Sequence, residues 1–95
     1  MARSRPIVFR VHAIRRMFQR QINTEDVRHV LATGETIEEY PEDLPYPRRL
    51  VLGREGDRPI HVVVAEDRES GEIIVPTAYQ PDPAQWDPEF KRRAR

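Results

Sequence analysis

The stretch Pro-Ile-His-Val-Val-Val-Ala-Glu from Pro59 to Glu66 limits the possible folds more than any other part of this chain. Rich in β-branched residues and bounded by charged turns, it predicts a strand, and one apolar enough to be the central strand of a sheet. In an extended conformation Ile60, Val62 and Val64 share one face, and His61 shares the other with Val63 and Ala65. Whatever else the chain builds must cover the first of these faces. With 38% hydrophobic and 34% charged residues over 95 positions, the means are a single domain, residues 1–95, with a thin core and two layers.

The covering layer is predicted from the N-terminal third. From His12 to about Gln21 the apolar residues Ala13, Ile14, Met17 and Phe18 recur at helical spacing, and they form the stripe expected to lie on the sheet. A second helix follows. Asn23 or Thr24 caps it, Glu25 and Asp26 put negative charge in its first turn, Val27, Val30 and Leu31 form its buried stripe, and Gly34 is expected to close it as a left-handed cap. His29 falls outside that stripe and reads as a surface residue. Beyond Gly34 the period becomes extended: Thr36 to Tyr40, Arg48 to Arg54, Pro59 to Glu66 and Glu72 to Tyr79 predict four strands, with Pro41 to Pro47 as a rigid acidic loop and Glu55-Gly56-Asp57 as a hairpin turn. Ile7 to Val11 is either a further short strand or the entry to the first helix. Pro76 implies an edge position or a bulge. The expectation is α+β: two N-terminal helices on a four-stranded antiparallel sheet, ordered over about residues 7–88, with Trp86 anchoring a proline-rich tail and Lys91 to Arg95 as a loose basic end.

The net charge is zero, yet the charges are segregated: six arginines and no acid through Arg20, then seven acids against one arginine from Gln21 to Pro47, and four cations in the last five residues. A neutral total can therefore hide one basic and one acidic surface. Without cysteine there are neither disulfides nor thiolate metal sites. The histidines show neither HxH nor HExxH spacing, and no glycine-rich phosphate loop or GxSxG is present, so neither a metal nor any other cofactor is expected. No apolar run approaches the length of a membrane span and the N-terminus lacks a secretory hydrophobic region, so a cytoplasmic protein with no membrane partner is expected.

Three features carry possible chemistry. On the first helix His12, Arg16 and Arg20 are spaced i, i+4 and i+8, which gives a face of donors and cations; the competing expectation is a solvated amphipathic helix. His61 points away from the covered face of its strand, unless it is a core histidine satisfied by hydrogen bonds. Thr77 and Tyr79, two apart in the last strand, project to one side with a hydroxyl and a phenol, although both are ordinary strand residues. Together these are the tools of a metal-independent ribonuclease: His12 and His61 as acid and base in either order, Arg16, Arg20 and Arg49 holding substrate phosphate, and Thr77 and Tyr79 orienting it.

The arrangement HA-x2-RM-x2-R (His12, Ala13, Arg16, Met17, Arg20), Gly34, PIHVVVA around His61 and T-x-Y (Thr77, Tyr79) resembles a family of small bacterial domains of unknown function, over about His12 to Trp86. The resemblance implies a fold related to the RelE-like, or Barnase-EndoU-Colicin-RelE, ribonuclease toxins, whose helices cover one sheet face while the open face cuts RNA. It also implies a cognate antitoxin as partner beside RNA, and a polar signature at His12, Arg16, Arg20, His61, Thr77 and Tyr79. Pro76, directly before T-x-Y, departs from the pattern. The alternative within the same fold is a non-catalytic module that binds RNA or protein.

Overall fold

The computed structural model describes residues 6–94. It is an α+β arrangement of two layers, with helices α1 (Val11–Gln19) and α2 (Thr24–Thr33) packed on a sheet of five strands, β1 (Ile7–Phe9), β2 (Glu35–Tyr40), β3 (Arg48–Glu55), β4 (Arg58–Glu66) and β5 (Ile73–Tyr79). The spatial order is β1-β5-β4-β3-β2, so the aliphatic strand β4 is central, as its composition requires. The sheet differs from the expected one in a single strand. Ile7 to Phe9 pairs in parallel with Ile73 to Val75, which adds a fifth strand and makes the sheet mixed, although every other pairing is antiparallel.

The register along β4 and β5 shifts between Val63 and Ala65, so two residues of β5, Val75 and Pro76, stand opposite Val64. Pro76 thus sits in a bulge, where a missing N–H costs no ladder bond. Beyond the bulge His61 is opposite Tyr79 and Val63 opposite Thr77, which places all four on one face. Ile60, Val62 and Val64 face the other way and form the core with Met17, Ile22, Val27, Val30, Val51, Val75 and Ala78.

Local chemistry explains the helix ends. Asn23 caps α2 in a full capping box: its side chain accepts from the Asp26 N–H at 2.7 Å while Asp26 accepts from the Asn23 N–H at 3.0 Å. Helix α1 ends in a Schellman pattern, in which Ile22 N–H donates to Met17 O at 2.9 Å and Gln21 N–H to Phe18 O at 3.1 Å. Gln21 takes the left-handed conformation there (φ 59°), so no glycine announces the end. Gly34, in contrast, is extended (φ −80°, ψ −177°) and not the left-handed cap expected of it. It is needed for closeness instead, because a Cβ there would stand against the Leu52 carbonyl oxygen and 2.6 Å from that of Val30.

Helix α1 also buries less than its apolar stripe suggests. Ala13 and Met17 are buried, whereas Ile14 and Phe18, expected in the core, are 45% and 83% exposed. The helix lies against β5, and only the narrow centre of its apolar arc meets the sheet.

Candidate functional site

The sheet face opposite the helices is not open along its length. From Pro81 onward the chain turns back over it and closes on itself: Ala94 N–H donates to Gln85 O at 2.8 Å, Asp87 N–H to Arg92 O at 2.8 Å, and the Asp87 carboxylate accepts from the Lys91 N–H at 3.0 Å. Burial alone pushes the Asp87 carboxyl upward, but the backbone N–H groups of residues 89–92 outweigh it and hold the group below its usual range. Trp86 and Pro81 are buried beneath this strap. Lys91 pairs with Glu35 at 3.0 Å and Arg93 with Glu38 at 3.4 Å, while Arg93 also lies 4.8 Å above the Trp86 ring. The basic tip, expected to be loose, is thus tied to the acidic edge strand through residue 93.

His61 lies under the strap with no solvent exposure. The Trp86 ring meets it edge-on at 4.5 Å and the Tyr79 ring at 5.4 Å. Its Nε2 is 2.8 Å from the Phe90 carbonyl oxygen, which can only accept, so Nε2 carries the hydrogen and Nδ1 keeps its lone pair. The Tyr79 hydroxyl, 3.4 Å away, donates to that lone pair. Burial pushes the His61 pKa down, and the bond to Phe90 offsets this only in part, so the ring is neutral at pH 7. Burial likewise raises the Tyr79 phenol, against the pull of Arg93 and Arg20. At the far edge the Tyr40 hydroxyl donates to Glu38, which raises the Tyr40 pKa, and Glu38 is the carboxylate that holds Arg93.

A part of this face remains accessible, at the end of β5. Strand β1 stops at Phe9, opposite Val75, so Pro76 to Tyr79 have no strand neighbour on that side. Arg20, at the end of α1, fills the place. Its guanidinium donates to the Ala78 carbonyl at 2.9 Å and to Thr77 Oγ1 at 3.3 Å, and so passes from the helix layer around the sheet edge to the opposite face. Thr77 and Tyr79 are half-buried there, with Arg20 exposed beside them.

The predicted site residues therefore divide. Arg20, Thr77, Tyr79 and His61 are brought together, with His61 as the floor. Arg16 is exposed one turn back along α1, and His12 is exposed a further turn back, about 12 Å along the axis from Arg20. No hydrogen bond, ion pair or ring contact engages His12 among the described residues. Because α1 packs on the face opposite His61, the sheet separates the two histidines, and they do not face each other across a cleft. Arg49 pairs with Glu66 at 3.2 Å on the helix side of the sheet and is not part of the site. Sequence reasoning missed Phe90, Arg93, Glu38 and Tyr40. Only the tail's tryptophan hinted that the face was covered. Among the described residues no three His, Cys, Asp or Glu side chains gather into a ligand set, and no helix is long and apolar enough to cross a membrane.

Fold and site together define a small two-layer α+β domain with a cationic helix edge joined to a tyrosine–histidine pair. The chain belongs to the family described as "Domain of unknown function (DUF4258)", whose model matches residues 9–80. The match includes His12, Arg20, His61, Thr77 and Tyr79, and it stops just before the strap. Neither a curated protein nor a solved structure matches the chain.

Proposed function

We propose that this protein is a toxin-like, metal-independent endoribonuclease with a RelE-like fold, kept in check by a cognate antitoxin. The observation that carries the reading is the reach of Arg20 around the free edge of β5 to Thr77, beside the Tyr79 hydroxyl backed by neutral His61. An RNA phosphate at this edge would meet the Arg20 guanidinium, with Arg16 as a second cation along the backbone path. Thr77 and the Tyr79 ring would orient ribose and base.

In cleavage the ribose 2′-oxygen bonds to phosphorus and the bond to the 5′-oxygen breaks. The 2′-proton passes to the Tyr79 oxygen as the Tyr79 proton moves to His61 Nδ1. Imidazolium His61 then has both nitrogens protonated, with Nε2–H still bonded to Phe90 O. Water protonates the departing 5′-oxygen, and the hydroxide it leaves takes the Tyr79 proton as His61 returns its own to the Tyr79 oxygen. His61 acts through Tyr79 and does not touch RNA, and Arg20 offsets the charge gathering on the phosphate. A proton-transfer role of this kind is worth about 100- to 10,000-fold in rate.

The second reading is a non-catalytic RNA-binding module. The burial of His61 and the distance of His12 favour it, since among the described residues these two histidines do not flank one position as an exposed acid and base pair. Incubating the purified protein with a mixed-sequence RNA in EDTA separates the two. Cleavage to 2′,3′-cyclic phosphate ends, lost in Tyr79→Phe and weakened in Arg20→Met, supports the nuclease. Intact RNA bound through Arg20 supports the module, and RNA neither bound nor cut refutes both.

A further inference from the structure

We infer that the outer surface of α1 is a docking face for an acidic amphipathic helix of a partner protein. Val11, Ile14 and Phe18 stand 68%, 45% and 83% exposed, and their i, i+3, i+7 spacing makes one continuous apolar line over two turns. They lie on the flank of α1 away from His12, Arg16 and Arg20, so this line is separate from the basic edge described above. At its C-terminal end Phe18 borders a groove of about 550 Å³, shared with Gln19, Gln21, Ile22 and Asn23. Large apolar side chains aligned this way without a covering element are what a helix-in-groove contact presents.

The charge around the line selects the occupant. Arg15 sits between Val11 and Phe18 on the same surface, and α1 carries no acidic residue. Among the described residues Arg15 has no acidic partner. A helix docking here with apolar residues at matching spacing therefore needs carboxylates on its margins. A second copy of this chain does not fit. Two-fold pairing of the face with itself would set Arg15 against Arg15. The inference is independent of the ribonuclease reading, because it uses none of that site's residues.

The test uses the full chain and two helix-stapled peptides that share leucines at i, i+3, i+4 and i+7 and differ only in carrying glutamate or lysine at the other positions. The glutamate peptide should bind at least about tenfold more tightly than the lysine peptide by fluorescence anisotropy. Phe18→Ser and Arg15→Glu should each weaken it by a similar factor while leaving the circular dichroism spectrum unchanged, since both side chains are exposed. Equal binding of the two peptides, no binding of the glutamate peptide, or no effect of Phe18→Ser overturns the inference. So does sedimentation showing self-association that Phe18→Ser abolishes, or capture by vesicles of phosphatidylserine and phosphatidylcholine that depends on Phe18 in place of peptide binding.

Discussion

Replacing His61 with phenylalanine tests the covered sheet face directly, because it keeps a ring for the edge contact with Trp86 and removes both nitrogens. The Phe90 carbonyl then loses its donor in a part-buried place, while the half-buried Tyr79 hydroxyl can turn to water. An acceptor orphaned there costs up to about 1–3 kcal/mol, the upper end being that of full burial. That is a sizeable part of the roughly 5–14 kcal/mol expected for a domain of this length. The pH dependence gives the sharper signature. In the folded protein His61 titrates below its ordinary value near 6.5, so between the lowered folded value and 6.5 the unfolded chain holds more protons than the native one. Stability is therefore full above about pH 6.5 and is lost as pH falls through the folded value, by up to about 1.4 kcal/mol per pH unit for this one group. Glu38 and Arg93 are the charged groups facing the ring, and their effects oppose each other. Urea unfolding at several pH values between 7 and 5, with wild type and His61→Phe side by side, measures the difference. The variant should be weaker at pH 7 and should lose less stability on acidification. An equal slope in both proteins refutes a buried neutral His61, and an unchanged stability at pH 7 refutes the bond to Phe90.

Three other substitutions probe the fold that holds the site. Gly34→Ala should lower the urea midpoint markedly, by about 2–4 kcal/mol, because its Cβ meets two carbonyl oxygens and only a shift of α2 or β3 relieves the contact; a neutral result would mean that the junction is looser than described. Trp86→Ala should cost about 3–5 kcal/mol in the same assay and raise the proton exchange of the His61 ring seen by NMR, since the strap loses its buried anchor. Asn23→Ala should cost about 0.5–2 kcal/mol through loss of the α2 capping box, and Asn23→Ser should restore most of it.

Much of the local structure follows from residue pattern alone. Asn23 or Thr24 ahead of Glu25 and Asp26 marks the start of α2 to within a residue, and the structure selects Asn23; the β-branched run in β4 places that strand at the centre of the sheet. Strict alternation also puts Thr77 and Tyr79 on one side of β5, and His61 on the side of β4 away from Ile60, Val62 and Val64, since in an extended chain neighbouring side chains cannot share a side. That these two sides coincide is set by the β4–β5 register past the bulge. Periodicity says nothing, however, about which other element covers a face. Phe18 and Ile14 have the spacing of core residues, yet they fall outside the narrow arc of α1 that a single strand edge can cover. Gly34 reads as a left-handed cap because most glycines at helix ends are, but the reason for it is the approach of the β3 backbone, which is a relation between distant segments.

The amino-acid order by itself determines the two helices, the central strand, the common side of Thr77 and Tyr79, and the basic face running from His12 to Arg20. Each of these depends on geometry within one element or on an alternation that survives any packing. Only the tertiary structure decides that Arg20 turns the corner at the unpaired end of β5, because that end exists only where β1 stops at Phe9. It also decides that His61 is a buried, neutral imidazole hydrogen-bonded between Tyr79 and Phe90 rather than an exposed group facing His12. That outcome rests on a strap of some dozen residues returning over the sheet, and the strap is held by the long-range pairs Lys91 with Glu35 and Arg93 with Glu38.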